Sequence, residues 1–203
     1  MLQRPQPRLI LASASASRRA LLEGARLRFD AIPAGIDEAA AKQAARAKGL
    51  NAAAAALLLA DLKAEQVSRW HPGAVVIGAD QILVCDGTWF DKPADPAEAR
   101  THLLALRDRQ HVLATALVCH FGNRRVWRHV AQPRLTMRRF SEAFLDCYLA
   151  TEGDAVTGTV GAYRLEGAGI HLFSRIEGEH DAILGLPLLP LLGFLRDYGV
   201  LID

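Results

Sequence analysis

The chain predicts a mixed α/β fold built on a largely antiparallel or mixed sheet. Three observations carry this expectation: alanine-rich segments with helical character, a hairpin signal at Asp86-Gly87, and two long strands around a turn at Gly122-Asn123. With 203 residues, 51% of them hydrophobic, the chain can bury a real core as one domain or two small lobes. No repeat, low-complexity linker or composition break divides it, so residues 1–203 are read as a single domain.

Residues 9–11 (Leu-Ile-Leu) read as a short buried strand. Small residues follow, then Arg18-Arg19-Ala20-Leu21-Leu22, a helix start with Ser15 or Ser17 as N-cap and a stop near Gly24. Residues 29–32 read as a second strand, and 37–48 and 51–69 as helices broken at Gly49. An apolar strand over 74–77 ends in Gly78-Ala79-Asp80, and a second run over 82–85 reaches the Asp86-Gly87 turn. Asp95-Pro96-Ala97-Glu98 is a helix start with Asp95 as N-cap, Pro96 at the first helical position and Glu98 three residues on. Residues 112–120 and 126–137 are the two long strands. Ser141 caps a helix to Leu149, 151–161 is a polar loop, 170–176 a strand, and 188–198 a final helix stopped by Gly199.

Several function classes are set aside. Lys and Arg number 24 and Asp and Glu 22, a balance unlike that of a general nucleic-acid coat. Cys85, Cys119 and Cys147 form no C-x-x-C pair and read as buried reduced thiols, not a disulfide or zinc framework. The apolar run 9–12 is too short for a signal peptide, and no segment approaches the roughly 20 apolar residues of a membrane span. A soluble, reducing, cytoplasmic setting follows as the expectation. There is no G-x-x-x-x-G-K-[ST] loop, no G-x-G-x-x-G after a strand, no H-E-x-x-H and no G-x-S-x-G elbow.

Four segments hold residues suited to phosphate chemistry. In Ser13-Ala14-Ser15-Ala16-Ser17-Arg18, small residues, hydroxyls and a helix N-terminus suit an anion, and Arg18 can grip two oxygens. Asp80 reads as a carboxylate at the end of a buried strand, and Glu38 as a second acid close to another. Lys92 is stiffened by Pro93. Taken alone, each has an ordinary explanation: a serine-capped helix, a turn aspartate, a helix N-terminal acid and an exposed loop lysine. Lys63, on an alanine-rich helix, reads by default as solvated.

Together these pieces resemble the Maf family of nucleotide pyrophosphatases. The matching text is LILASASASRRALLEGARLRF, PAGIDE, ADLKAE, VVIGADQ, DKPADPAEAR, HVLAT, VGAYRLEGAG, RIEG and LGLPL. No single piece is specific; their order and spacing are. The resemblance implies an elongated mixed sheet flanked by helices, as in inosine triphosphate pyrophosphatases, with a cleft between two lobes. It implies that Ser15 and Arg18 bind phosphates in an S-x-x-R arrangement, beside which Ser13 and Ser17 are further substrate-binding candidates, that Glu38, Lys63, Asp80 and Lys92 line the catalytic cleft, and that Asp80 is the proton acceptor. It further implies a divalent cation, Mg or Mn, held by Glu38 and Asp80, a nucleoside triphosphate substrate and a possible homodimer.

The chain departs from the commonest family pattern. Thr159 stands at a frequent lysine position, where Arg164 is the candidate substitute, and Ala182 stands at a usual asparagine. Ser17 replaces a frequent arginine or tryptophan, Gln81 a usual threonine, and Glu166 a usual glutamine. A carboxylate only accepts hydrogen bonds, whereas guanine offers two adjacent donors and 7-methylguanine adds positive charge. Glu166 therefore points to a guanine-type base, and Gln81 with the Glu-Gly-x-Gly string at 166–169 resembles the subgroup acting on 7-methyl-GTP, so a modified guanine nucleotide is the expected substrate. The competing readings are a non-catalytic nucleotide-binding regulator of cell division and a nucleic-acid module carried by Arg124, Arg125, Arg128 and the arginines of 134–139. The joint presence of Arg18, Glu38, Lys63, Asp80 and Lys92 favours the enzyme. The arginines alternate with apolar residues and read as a solvated sheet face.

Overall fold

The computed structural model describes residues 2–203. In chain order the elements are β1 (Arg8–Leu11), α1 (Ala16–Gly24), β2 (Asp30–Ala31), α2 (Glu38–Ala47), α3 (Ala52–Ser68), β3 (Ala74–Cys85), β4 (Thr88–Phe90), α4 (Pro96–Leu106), β5 (Gln110–Phe121), β6 (Arg124–Ala131), β7 (Arg134–Met137), α5 (Glu142–Glu152), β8 (Phe173–Glu177), α6 (His180–Ile183) and α7 (Leu188–Asp197). The chain forms two compact units. The first comprises Met1–Gln81, Thr115–Ala131 and Glu179–Asp203, the second Ile82–Ala114 and Gln132–Gly178. The expected mixed α/β class holds.

The helix starts follow from side-chain chemistry. Ser15, Asp37, Asn51, Asp95 and Ser141 each accept the backbone N–H three residues on, filling a donor the first turn leaves open. Each such cap stabilises its helix by about 1 kcal/mol.

In the first unit β1 pairs in parallel with β2 and with β3, with Leu9 opposite Val75 and Leu11 opposite Ile77. β5 lies beside β3, and β6 returns antiparallel to β5 after Gly122-Asn123. Leu9, Leu11, Leu22, Ile77, Leu117, Leu191 and Leu195 belong to one buried cluster, which joins the sheet to α1 and α7. Burying each such side chain contributes roughly 1.5–3 kcal/mol.

In the second unit β4 pairs with β3 across the Asp86-Gly87 turn, and β5, β7 and β8 pair antiparallel. α4 packs on α5 and on two 3-10 segments, Gly153–Gly158 and Val160–Ala162.

Several boundaries differ from the sequence reading. Residues 74–85 are one continuous strand, so Asp80 stands in mid-strand and not at a strand end. The expected strand over 126–137 is split: β6 ends at Ala131, and Pro133, which has no N–H, gives its carbonyl to Leu113 N at 3.1 Å. The strand expected over 170–176 begins only at Phe173. The preceding Ala168–Leu172 is a 3-10 turn, in which a Cβ on Gly169 would lie 2.3 Å from the Arg164 carbonyl oxygen. The 29–32 strand shortens to Asp30–Ala31, and α5 continues to Glu152. All three cysteines are free, but Cys147 is exposed, because it lies on the outer side of α5. Among the described residues no helix is long and apolar enough to cross a membrane.

The second unit buries a histidine. His111 is 1% exposed, its Nε2 lies 2.8 Å from the Tyr163 hydroxyl, and the rings of Tyr163 and Phe173 flank it. Burial lowers its pKa from 6.5 to about 4. The unfolded chain therefore takes up a proton as pH falls through 6.5, while the folded protein does not until near 4. The stabilisation from neutral His111 is complete above about pH 6.5 and is lost between 6.5 and 4, by on the order of 2 kcal/mol at pH 5. Urea unfolding of wild type and His111→Phe at pH 5 to 7.5 checks this: the wild type loses more stability on acidification. A difference between the two proteins that stays constant with pH would refute it.

Candidate active site

The site starts from the packing of α3 on β3. The buried residues of α3 are 52, 55, 56, 59, 60, 63, 64, 67 and 68, a stripe at helical spacing. Lys63 lies in that stripe and is 6% exposed, not solvated as its alanine-rich surroundings suggest. On β3, Gly78 and Asp80 share a face, since alternate strand residues point the same way. A Cβ on Gly78 would fall 2.0 Å from the Ala60 carbonyl oxygen and 2.8 Å from Ala64 N. Only glycine lets α3 approach this closely, and the approach carries Lys63 to Asp80.

Lys63 Nζ donates to Asp80 Oδ1 at 2.7 Å and to Glu38 Oε1 at 2.9 Å. Asp80 is 3% exposed. Glu38, the first residue of α2, is about half exposed at its side chain. Burial pushes the Glu38 carboxyl pKa up, but the hydrogen bond and charge of Lys63, with the charges of Lys42 and Arg18, outweigh this and hold it below the ordinary value. Asp80 Oδ2 is buried and has no protein partner. The carboxylate therefore has one oxygen fixed by an ammonium and the other without a protein partner, as a group that orients or deprotonates a water would.

Arg18 rises from the first turn of α1. Its Nη1 donates to Ala79 O at 2.9 Å and Ser13 Oγ at 3.1 Å, and its Nε to Gly185 O at 2.9 Å. Ser13 Oγ also accepts Ser15 N at 3.2 Å. Burial lowers the guanidinium pKa from its ordinary value, against the raising influence of Asp80 and Glu38. Between the two candidate N-caps the structure selects Ser15, and Ser17 lies within the first turn. Arg18, Lys42 and Lys63 outnumber Glu38 and Asp80 here, so the first unit presents a local positive balance to a polyanion.

Among the described residues no group of three or more His, Cys, Asp or Glu is placed to hold an ion. Mg²⁺ characteristically uses one or two carboxylates and completes its shell with phosphate oxygens and water. Glu38 and Asp80, with the unpartnered Asp80 Oδ2, fit that mode.

Ser13, Ser15, Arg18, Glu38, Lys63 and Asp80 are thus assembled on the first unit. Gln81 joins them through the chain: its Nε2 donates to Thr115 Oγ1 at 2.8 Å, Ala182 O at 3.1 Å and Ile183 O at 3.0 Å. Any contact of Gln81 with a ligand would therefore be through Oε1. Lys92 and Glu166 belong to the second unit. Lys92 is exposed ahead of buried Pro93. Glu166 Oε1 lies 3.7 Å from Arg164 Nε, and Arg164 Nη1 lies 3.5 Å from buried Glu152 Oε2. Thr159 spends its hydroxyl within its own loop, on Tyr163 O at 2.9 Å. Sequence reasoning missed Glu152, whose Oε1 accepts Ala168 N at 2.7 Å, and the Ala79 and Gly185 carbonyls that seat Arg18. Main-chain carbonyls carry no residue signal. Gly78 did carry one: a glycine inside an apolar strand marks close backbone approach.

The model of the family described as Maf-like protein matches residues 8–198. A nucleoside triphosphate pyrophosphatase of Granulibacter bethesdensis is 57% identical over 194 residues, 96% of this chain and 98% of its own. A protein of the same name from Rhodospirillum rubrum is 50% identical over 97% of this chain and 98% of its own length. A 7-methyl-GTP pyrophosphatase of Rhizobium meliloti is 47% identical, again over 97% and 98%.

Proposed function

Since this chain belongs to the Maf-like family, we propose that it is a hydrolase that cuts a nucleoside triphosphate at the α–β phosphoanhydride, in the cytoplasm, giving a nucleoside monophosphate and pyrophosphate. The observation that carries this reading is the Asp80 carboxylate, with Oδ1 held by Lys63 and Oδ2 buried and unpartnered. Water adds to the α-phosphorus, the bond from that phosphorus to the bridging oxygen breaks, and Asp80 accepts the proton. Arg18 and Lys63, with Lys92 of the second unit, offset the charge of the polyphosphate. A divalent Mg or Mn ion held by Glu38 and Asp80 would add positive charge at the phosphates. Ser13, Ser15 and Ser17 serve the phosphate end.

For the base, Glu166 supports a guanine-type substrate, because an acceptor-only carboxylate matches adjacent N–H donors and a cationic purine. The name of the Rhizobium meliloti relative supports the same choice. The test is pyrophosphate release from dTTP, UTP, CTP, GTP, ITP and 7-methyl-GTP, with Mg²⁺, with Mn²⁺ and with chelator. Release requires metal and is fastest with a guanine-type base. Glu166→Gln lowers the preference for that base over UTP by roughly tenfold, the value of one hydrogen bond to a charged group. Folded protein that releases no pyrophosphate from any triphosphate would favour the regulator reading instead.

A further inference from the structure

Glu152 is the last residue of α5, and its side chain is 6% exposed. Neither helix chemistry nor burial favours it there. The C-terminus of a helix is the negative end of its dipole, and a buried carboxylate loses its hydration. What holds it is the segment that follows. Its Oε1 accepts Ala168 N at 2.7 Å, and its Oε2 lies 3.5 Å from Arg164 Nη1. One turn earlier on the same face of α5, buried Tyr148 donates its hydroxyl to Ala162 O at 3.0 Å. α5 therefore grips both ends of the stretch that carries Arg164 and Glu166.

The two glycines of the Glu-Gly-x-Gly string answer to the same packing. A Cβ on Gly167 would stand 2.6 Å from Glu152 Oε1 and displace the carboxylate from Ala168 N. A Cβ on Gly169 would stand 2.3 Å from Arg164 O and 2.7 Å from Arg164 N. The backbone after Glu166 is thus folded tightly onto Arg164, with Glu152 fixing the amide two residues on. Arg164 lies between the two acids, its Nε 3.7 Å from Glu166 Oε1. Of the two links from Glu152, the 2.7 Å bond to a main-chain N–H is the stronger. The arginine contact is long, and Arg164 is 38% exposed.

We propose that Glu152 is a positioning residue for base selection: by anchoring Ala168 N it fixes the turn from which Glu166 presents its carboxylate to the base. The proposal rests on the reading of Glu166 given above. Glu152→Leu lowers the ratio of kcat/KM for 7-methyl-GTP over UTP by up to roughly tenfold, no further than Glu166→Gln does. Inhibition by inorganic tripolyphosphate, which has no base, stays within about twofold of wild type. Glu152→Gln keeps an oxygen for Ala168 N, and exposed Arg164 can turn to solvent, so the ratio stays within about twofold of wild type. Gly167→Ala pushes the carboxylate off Ala168 N without removing it. It lowers the ratio as Glu152→Leu does, and carries the test should Glu152→Leu not fold. In a Glu166→Gln background Glu152→Leu changes the ratio by less than about twofold. Hydrogen exchange over residues 164–172 reports the anchor itself: faster in Glu152→Leu and Gly167→Ala, and as in wild type in Glu152→Gln. An unchanged base ratio in a Glu152→Leu protein whose segment exchanges faster would overturn the proposal, because a purely structural bond gives that result. Full additivity with Glu166→Gln would overturn it too. A Glu166→Gln protein that keeps the wild-type ratio would overturn the base reading itself, and that outcome is told apart because it needs no change at Glu152.

Discussion

Asp80→Asn lowers kcat by about 10²–10⁴, the range a positioned general base contributes, with a much smaller change in KM. The substitution is nearly isosteric, and its consequence follows from Lys63. The ammonium, 2.7 Å from Oδ1 and 6% exposed, needs an acceptor at that distance. The amide oxygen turns to supply it, which places the NH2 group where buried Oδ2 stood. An amide nitrogen there can neither take a proton from water nor bind a cation. Glu38 keeps its own bond to Lys63, so the lysine stays paired and the fold holds. Glu38→Gln is the informative companion. Its side chain is about half exposed and the proposed reaction does not use it as proton acceptor, so its loss is expected to show more in the metal concentration needed than in kcat at saturating metal. Steady-state kinetics over a Mg²⁺ titration separates the two. Asp80→Asn protein that kept wild-type kcat at saturating metal would remove Asp80 from the chemistry.

How much of this was legible in the sequence can be argued residue by residue. The helix starts were, because a cap is a local interaction: Asp95 reaches Glu98 N and Ser141 reaches Phe144 N without help from distant parts of the chain. β3 was split in the sequence reading because Gly78, Asp80 and Gln81 interrupt its apolar run. Each interruption answers to something far away in sequence: Gly78 to α3, Asp80 to Lys63, Gln81 to the 182–183 carbonyls. Strand pattern alone treats them as an end. Lys63 was the reverse case. Its type argued for solvent, while its spacing from Leu59, Ala60 and Val67 placed it on the buried stripe. Spacing prevailed because two carboxylates offset the cost of burying the charge. The seats of Arg18 were beyond sequence reading, since the groups that fix it are carbonyls of Ala79 and Gly185 brought together only by the fold.

Gly78→Ala is expected to destabilise the protein by about 3 kcal/mol or more, at the upper end of the cost of overfilling a packed interior. The backbone at Gly78 is not in the left-handed region, so no conformational strain is involved and the effect is contact alone. The added carbon would lie 2.0 Å from Ala60 O, 2.8 Å from Ala64 N and 2.9 Å from Ala64 Cβ. Two of these are main-chain atoms of a seventeen-residue helix, which cannot swing aside as a side-chain tip can. To restore ordinary contact at about 3.5 Å the helix must retreat by more than about 1 Å. Lys63 is the residue before Ala64 and Asp80 lies two beyond Gly78, so the same retreat opens the 2.7 Å pair. Activity then falls even under conditions where the variant remains folded. Gly193→Ala supplies the contrast within the same unit. It lies in α7 with nothing within 4 Å of its added carbon, and it should gain roughly 0.5–1 kcal/mol from helix propensity. Urea unfolding of the two variants beside wild type reads both signs at once. A Gly78→Ala protein within about 1 kcal/mol of wild type would mean that α3 is not held against β3 as described, and the explanation of how Lys63 reaches Asp80 would go with it.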